Sequence, residues 1–165
     1  MLQRLCIGVV ATVLVVTWSE MRVLTQESGE AEVKAMVRAA WNRYIDAFSA
    51  ARIEVIANEV YSAPSFQLGD AGASVRVTAG DTEAAFEATH ARLAPERYDR
   101  SETDQAEICV INPGTALLTA YFTRYRDEGT VLSSGASAYL FASFAEGWRI
   151  VAIMGNPSAK LITCD

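Results

Sequence analysis

Three segments decide the fold: Ala116–Arg126 (ALLTAYFTRYR), Ala136–Phe144 (ASAYLFASF) and Trp148–Met154 (WRIVAIM). Side chains alternate between the two faces of a strand. In the first segment Leu118, Ala120, Phe122 and Arg124 therefore share one face, and Leu117, Thr119, Tyr121, Thr123 and Tyr125 share the other. Asp127-Glu128-Gly129 and Glu146-Gly147 are turn signals that join the three segments into an antiparallel meander. A fourth strand precedes them: the period becomes two at Gln105, with Ala106, Ile108 and Val110 on one face and Asn112-Pro113-Gly114 as the turn that follows. One face of this sheet must meet the helices. The other, carrying Thr and Tyr, is mixed enough to be a subunit interface or a wetted sheet face.

Upstream the period is helical. From Glu32 to Ala50, at 100° per residue, Val33, Val37, Ala40, Trp41, Tyr44 and Phe48 fall on one face, opposite Arg38, Asn42 and Asp46. Ser28 is a candidate N-cap for this helix, and Asp46 points to solvent, which makes it a poor buried base. A second helix over 53–60 buries Ile53, Ile56, Ala57 and Val60 and stops before Ser62-Ala63-Pro64. Phe66–Leu68 and Val75–Thr78 form a small hairpin around Gly69-Asp70-Ala71-Gly72. A third helix, capped by Asp81, runs over 82–93 with Phe86, Thr89, His90 and Leu93 on one side. The expected class is α+β: a cone-shaped, bent antiparallel sheet with two to three helices on its concave side.

With 165 residues and 51% hydrophobic content the chain has material for one domain. A net charge of −6, with arginines interleaved among acids as in Glu96-Arg97-Tyr98-Asp99-Arg100, excludes the basic stripe that nucleic acid requires. There is one histidine, and no metal-ligand cluster, glycine-rich phosphate loop or nucleophile motif, so no cofactor is implied. The run from Leu5 to Ser19 lacks charge. As a helix it would rise about 22 Å, short of a hydrocarbon core of about 30 Å. Residues 1–19 thus read as an export signal or membrane anchor, 20–30 as a linker and 31–165 as the domain. Translation from Met21 would instead leave the domain cytoplasmic, and any membrane contact is through the N-terminal segment alone. Cys6 is in the wrong context for a lipoprotein acceptor. Cys109 and Cys164 would form a bridge in an oxidising compartment, or stay a packed strand residue and a terminal thiol; two cysteines make no spacing pattern, which favours the second.

The opening helix Trp41-Asn42-Arg43-Tyr44-Ile45-Asp46-Ala47-Phe48, the Val60-Tyr61 before the first strand, Asp127-Glu128-Gly129 at a hairpin and the closing Gly147-Trp148-Arg149-Ile150-Val151 are similar to elements of a known fold family. From about Glu30 to Met154 the chain resembles the nuclear-transport-factor-2-like superfamily, in particular its polyketide-cyclase-like (SnoaL-like) branch. The resemblance implies a conical sheet closed by helices around an apolar pocket, used for catalysis in some members and for binding or dimerisation in others. Catalytic members pair a buried carboxylate with a tyrosine or protonated acid. Where many relatives carry histidines after the closing tryptophan, this chain has Ala152, Ile153 and Met154.

The pocket expected between the first helix and the sheet is walled by Trp41, Tyr44, Tyr61 and Met154, with Tyr98 and Tyr139 as further aromatic lining. A void is expected there, because bulky aromatics at the open end of a curved sheet are hard to close-pack. His90 is the one candidate general base, although no acid at i±4 orients it and a structural role is the stronger reading. Arg124 would hold a carboxylate or enolate-like ligand, or else pair with Asp127, Glu128 or a neighbouring strand's acid. Three functions follow: a binding domain for a small apolar molecule; an enzyme of the isomerase, cyclase or hydrolase type using acid/base chemistry in the same pocket; or a dimerisation module without ligand. A homodimer through the Tyr121 and Tyr125 face is expected.

Overall fold

The computed structural model describes residues 29–156 and 161–164. The leader, Cys6, Met21 and the Ser28 cap lie outside these residues. The alternating segments form four long strands, β3 (Tyr98–Asn112), β4 (Thr115–Arg126), β5 (Val131–Phe144) and β6 (Gly147–Asn156), paired antiparallel in chain order. Gly129 (φ 84°) and Gly147 (φ 119°) take the left-handed conformation that the two tight connections demand. Ahead of them, β1 (Tyr61–Gly69) and β2 (Gly72–Arg76) form the expected hairpin. β1 then lies parallel to β6, giving one six-stranded mixed sheet in the order β2-β1-β6-β5-β4-β3.

The first helix, α1, occupies residues 29–49. Val33, Val37, Ala40, Trp41, Tyr44 and Phe48 are buried as the 3.6-residue period requires, and Asp46 is exposed. Two polar ties fix α1 against β3: the Trp41 indole Nε1–H donates to Thr103 Oγ1 at 3.0 Å, and the Arg38 guanidinium donates to the Ala106 carbonyl at 3.2 Å. The second helical segment departs from the regular period, and Ile53, expected to be buried, is only half-buried. After α2 (Ile53–Val55) the chain widens into a π-turn over Ile56–Val60, which buries Ile56, Ala57 and Val60 together. The third helix, α3 (Ala79–Leu93), begins earlier than expected because Thr78, not Asp81, is the N-cap. Thr78 and Asp81 form a reciprocal capping box, with Asp81 Oδ2 accepting from the Thr78 N–H at 2.8 Å and Thr78 Oγ1 accepting from the Asp81 N–H at 3.2 Å.

The helices pack on the concave face. The core is continuous from Val37, Trp41, Tyr44 and Phe48 through Ile56, Tyr61 and Phe86 to Ile108, Ala116, Leu118, Tyr139, Phe141 and Ile150. Two bulges modify the alternation. In β6 the register moves between Leu140↔Ala152 and Phe141↔Ile150, so Val151 is an extra residue and the side chains after it change faces. In β3 the register moves at Asp104, so Ser101 and Thr103 share the inner face with Ala106 and Ile108. That phase break explains why period-two reading began the strand only at Gln105.

Cys109 and Cys164 are bonded, with Cα atoms 5.4 Å apart across a sequence separation of 55. This corrects the expectation of two independent thiols. The bridge holds residues 161–164 against the outer sheet face, where Thr119 Oγ1 also donates to the Ile162 carbonyl at 3.0 Å. Among the described residues no helix is long and apolar enough to cross a membrane.

Candidate ligand site

The aromatic residues expected to wall a pocket come together but close on one another. Trp41, Tyr44, Tyr61 and Tyr139 are all buried. Their ring centroids lie 4.8 Å apart for Trp41–Tyr139, 5.8 Å for Tyr44–Tyr61 and 5.9 Å for Tyr44–Tyr139, tilted or edge-on throughout. Phe86 and Phe48 fill the remaining gaps. Met154 is not among them: the extra residue at Val151 turns it to the outer face, where it pairs with Ala138 and Leu68. The wide void does not form, since the phenyl rings of α1 and α3 interlock.

What remains is a recess of about 20 Å³ lined by Tyr44, Ile45, Phe48, Ser101, Phe122, Arg124 and Tyr139. A water needs roughly 10–15 Å³ by this kind of measure, so the closed site has room for about one. Arg124 is its notable member. It sits on the inner face with Phe122, as alternation predicts, and its guanidinium lies 4.9 Å from the Phe122 ring centroid and 5.6 Å from that of Phe48. Its Nε is buried with no hydrogen-bond acceptor. The acids expected to neutralise it pair elsewhere: Asp127 and Glu128 both engage Arg97, the former at 2.7 Å.

His90 flanks the same recess. Its ring stacks at 4.7 Å on Phe48 and stands edge-on to Tyr98 at 6.0 Å, while Nε2 is buried and unpartnered. Burial, with the Arg124 charge adding to it, holds the imidazole below its ordinary value, so it is neutral near pH 7. The Tyr98 hydroxyl is 2.8 Å from Ser101 Oγ, and burial raises its ionisation despite that bond. Ser49 Oγ accepts from the Ser101 N–H at 3.0 Å and fixes the end of α1 to β3. The Tyr44, Tyr61 and Tyr139 phenols are pushed far up, first by burial and then by one another, and remain protonated. The Tyr61 hydroxyl makes no well-formed hydrogen bond, although Tyr44 is close enough to couple to it electrostatically. Ser49, Ile45 and Ser101 were not expected in the site. Ser101 was hidden by the Asp104 bulge, although its alternation with Arg100 and Glu102 was a usable signal.

Chemically the recess combines a cation to which no acid is paired among the described residues, a neutral imidazole, hydroxyl groups and aromatic walls. Among the described residues no carboxylate is bonded to Tyr44 or Tyr98, and no group of acids, histidines and cysteines is arranged to hold a metal. A second recess, of about 430 Å³, is lined by Asp70 of the β1–β2 turn with Tyr121 of β4 and Ser134 and Ala136 of β5.

The same architecture recurs in solved structures. An NTF2-like protein with a cystatin-like fold from Novosphingobium aromaticivorans superposes with a TM-score of 0.64 at 18% identity, over 79% of this chain and 85% of that one. A nuclear transport factor 2 (NTF2-like) superfamily protein from Salmonella enterica gives 0.59 at 18% identity, over 81% and 96%. A function-unknown protein from Mycobacterium tuberculosis gives 0.62 at 16%, over 80% and 79%. At these identities the likeness establishes the fold. Residues 16–158 match the family model described as NTF2-like protein (DUF6841), and the chain belongs to that family. Among curated proteins none matches this sequence.

Proposed function

We propose that this NTF2-like domain binds a small molecule with an apolar body and a carboxylate or enolate-like end, which Arg124 receives. The observation that carries this reading is the half-buried guanidinium on the core face, its Nε without an acceptor and no acid paired to it among the described residues. A cation so placed gives up hydration without full compensation, and an anionic guest would supply the missing acceptor. The side chain lies over the recess, and rotation of its long stem would uncover Tyr44, Phe48 and Tyr139 as apolar walls. His90 and Tyr98 stand beside that opening. Protonated phenols suit binding, and among the described residues no carboxylate is buried beside them to serve as a base.

Titration calorimetry with benzoate, and with benzamide as its uncharged counterpart, tests the proposal. Benzoate should bind and benzamide should not, and Arg124→Gln should remove the difference. Equal heats for both compounds, or an Arg124→Gln protein that binds as the parent does, would count against it.

A second reading, assembly through the outer sheet face, is favoured by two observations: the interior is filled with aromatic rings, while Phe66, Leu68 and Val75 are exposed on adjoining strands of that face. Export accords with both readings, because a Cys109–Cys164 bridge would persist in an oxidising compartment. Intact mass of protein recovered from its source cell fraction would report the leader and the bridge together.

A further inference from the structure

Two buried nitrogens at the edge of the aromatic cluster are without a hydrogen-bond partner: Nε of Arg124 and Nε2 of His90. They belong to different elements, β4 and α3, and one ring brings them together. The imidazole lies 4.7 Å and the guanidinium carbon 5.6 Å from the centroid of Phe48, which itself lines the recess. Leaving a buried polar atom unpaired is costly, so two of them against one ring mark a place where a guest gains by pairing both.

The two nitrogens call for different partners. Arg124 carries a charge that no acid pairs among the described residues, and it takes an anion. His90 is neutral, held so by burial and by the Arg124 charge, and its Nε2 takes an uncharged group. A second carboxylate would find no second cation, because among the described residues Arg124 is the one charged side chain lining the recess. A hydroxyl both donates and accepts, so it satisfies Nε2 whichever ring nitrogen carries the proton. Spacing narrows the choice further. With a hydrogen bond of about 3 Å at either end, the guest has only roughly 4 Å of its own to bridge, the separation of substituents on one carbon or on adjacent carbons.

We propose that the Arg124 site is a receptor for 2-hydroxy carboxylic acids with an apolar body: the carboxylate on Arg124, the hydroxyl on His90 Nε2, and the body against Tyr44, Phe48 and Tyr139. This rests on the carboxylate reading above and adds a second point of attachment that makes His90 a specificity-determining residue. The imidazole is held for that role by Phe48 on one side and by Tyr98, edge-on at 6.0 Å, on another. The Tyr98 hydroxyl is itself engaged by Ser101 Oγ at 2.8 Å. Three contacts in fixed directions also separate mirror images, since the carbon that bears the hydroxyl is a stereocentre and one enantiomer alone can place all three groups at once.

Titration calorimetry of the full chain with (R)-mandelate, (S)-mandelate and phenylacetate tests the assignment, because the three acids share one skeleton and differ only in the hydroxyl. One mandelate should bind about tenfold more tightly than phenylacetate, the worth of about one hydrogen bond, and its enantiomer should gain nothing. His90→Phe, which keeps a ring on Phe48, should bind all three acids alike and as the parent binds phenylacetate. His90→Gln, which returns a donor and an acceptor, should recover part of the preference. Equal binding of the three acids by the parent, or a preference that survives in His90→Phe, overturns the hydroxy-acid assignment and leaves the carboxylate reading standing. Failure of all three to bind the parent overturns both.

Discussion

Arg124 and His90 are the two residues whose chemistry exceeds their packing. Arg124 costs stability as placed, because among the described residues this partly desolvated cation meets ring faces and its Nε has no acceptor. Arg124→Met, which keeps the stem and removes the charge, is expected to raise the melting temperature by a few degrees while abolishing carboxylate binding. Differential scanning calorimetry with and without benzoate reads both effects. His90 gives a pH signature. Its folded-state value lies below the ordinary 6.5, so the unfolded chain takes up the proton first as pH falls. Its contribution to stability is therefore complete above about pH 6.5 and is lost as pH falls toward the folded-state value. Melting temperatures from pH 7 to 5 should fall more steeply in the parent than in His90→Phe, and parallel curves would refute this. An anion beside Arg124 would offset the charge that depresses His90, so benzoate should bind with proton uptake, measurable by calorimetry in buffers of different ionisation enthalpy. The face of Arg124 is legible from sequence, since its alternation with Phe122 is unbroken. Sequence could not reveal that Asp127 and Glu128 would pair with Arg97 instead, because that depends on the tertiary approach of the β3 start to the β4–β5 turn.

At the scale of elements, legibility follows regularity. α1 and the β4–β5–β6 meander could be read because their periods run long enough to average out exceptions. The errors fall where one residue changes the phase. Val151 moves Met154 out of the site, and Asp104 conceals Ser101 and Thr103. Period-based reading carries no signal for a one-residue insertion whose neighbours are equally apolar. The absence of a wide pocket is not legible in sequence for a packing reason: the aromatic residues can be counted, but whether their rings interlock or leave space depends on their tilt. The α3 start is testable here. Thr78→Ala removes one half of the capping box and should cost about 1 kcal/mol in a urea titration, with an unchanged slope. Trp41→Ala, at the centre of the cluster and bonded to Thr103, should cost about 3–5 kcal/mol by the same measurement.

At the scale of the whole molecule, the parallel pairing of β1 with β6 has a consequence for the order in which the chain can fold. Tyr61 pairs with Ile150, and Leu68 with Met154, contacts that close very long loops, whereas the β3–β6 hairpins close short ones. The meander should form early, and the β1–β2 hairpin should join it last. Until β6 exists, the aromatic face of α1 has only part of the surface it finally covers. A chain stopped after Phe144 should therefore remain unfolded and bind a hydrophobic dye, even though it contains every helix and five of the six strands. Nascent chain emerging from a ribosome or a translocation channel would stay in that state until its last strand is clear, so commitment to the fold is a late, C-terminal event.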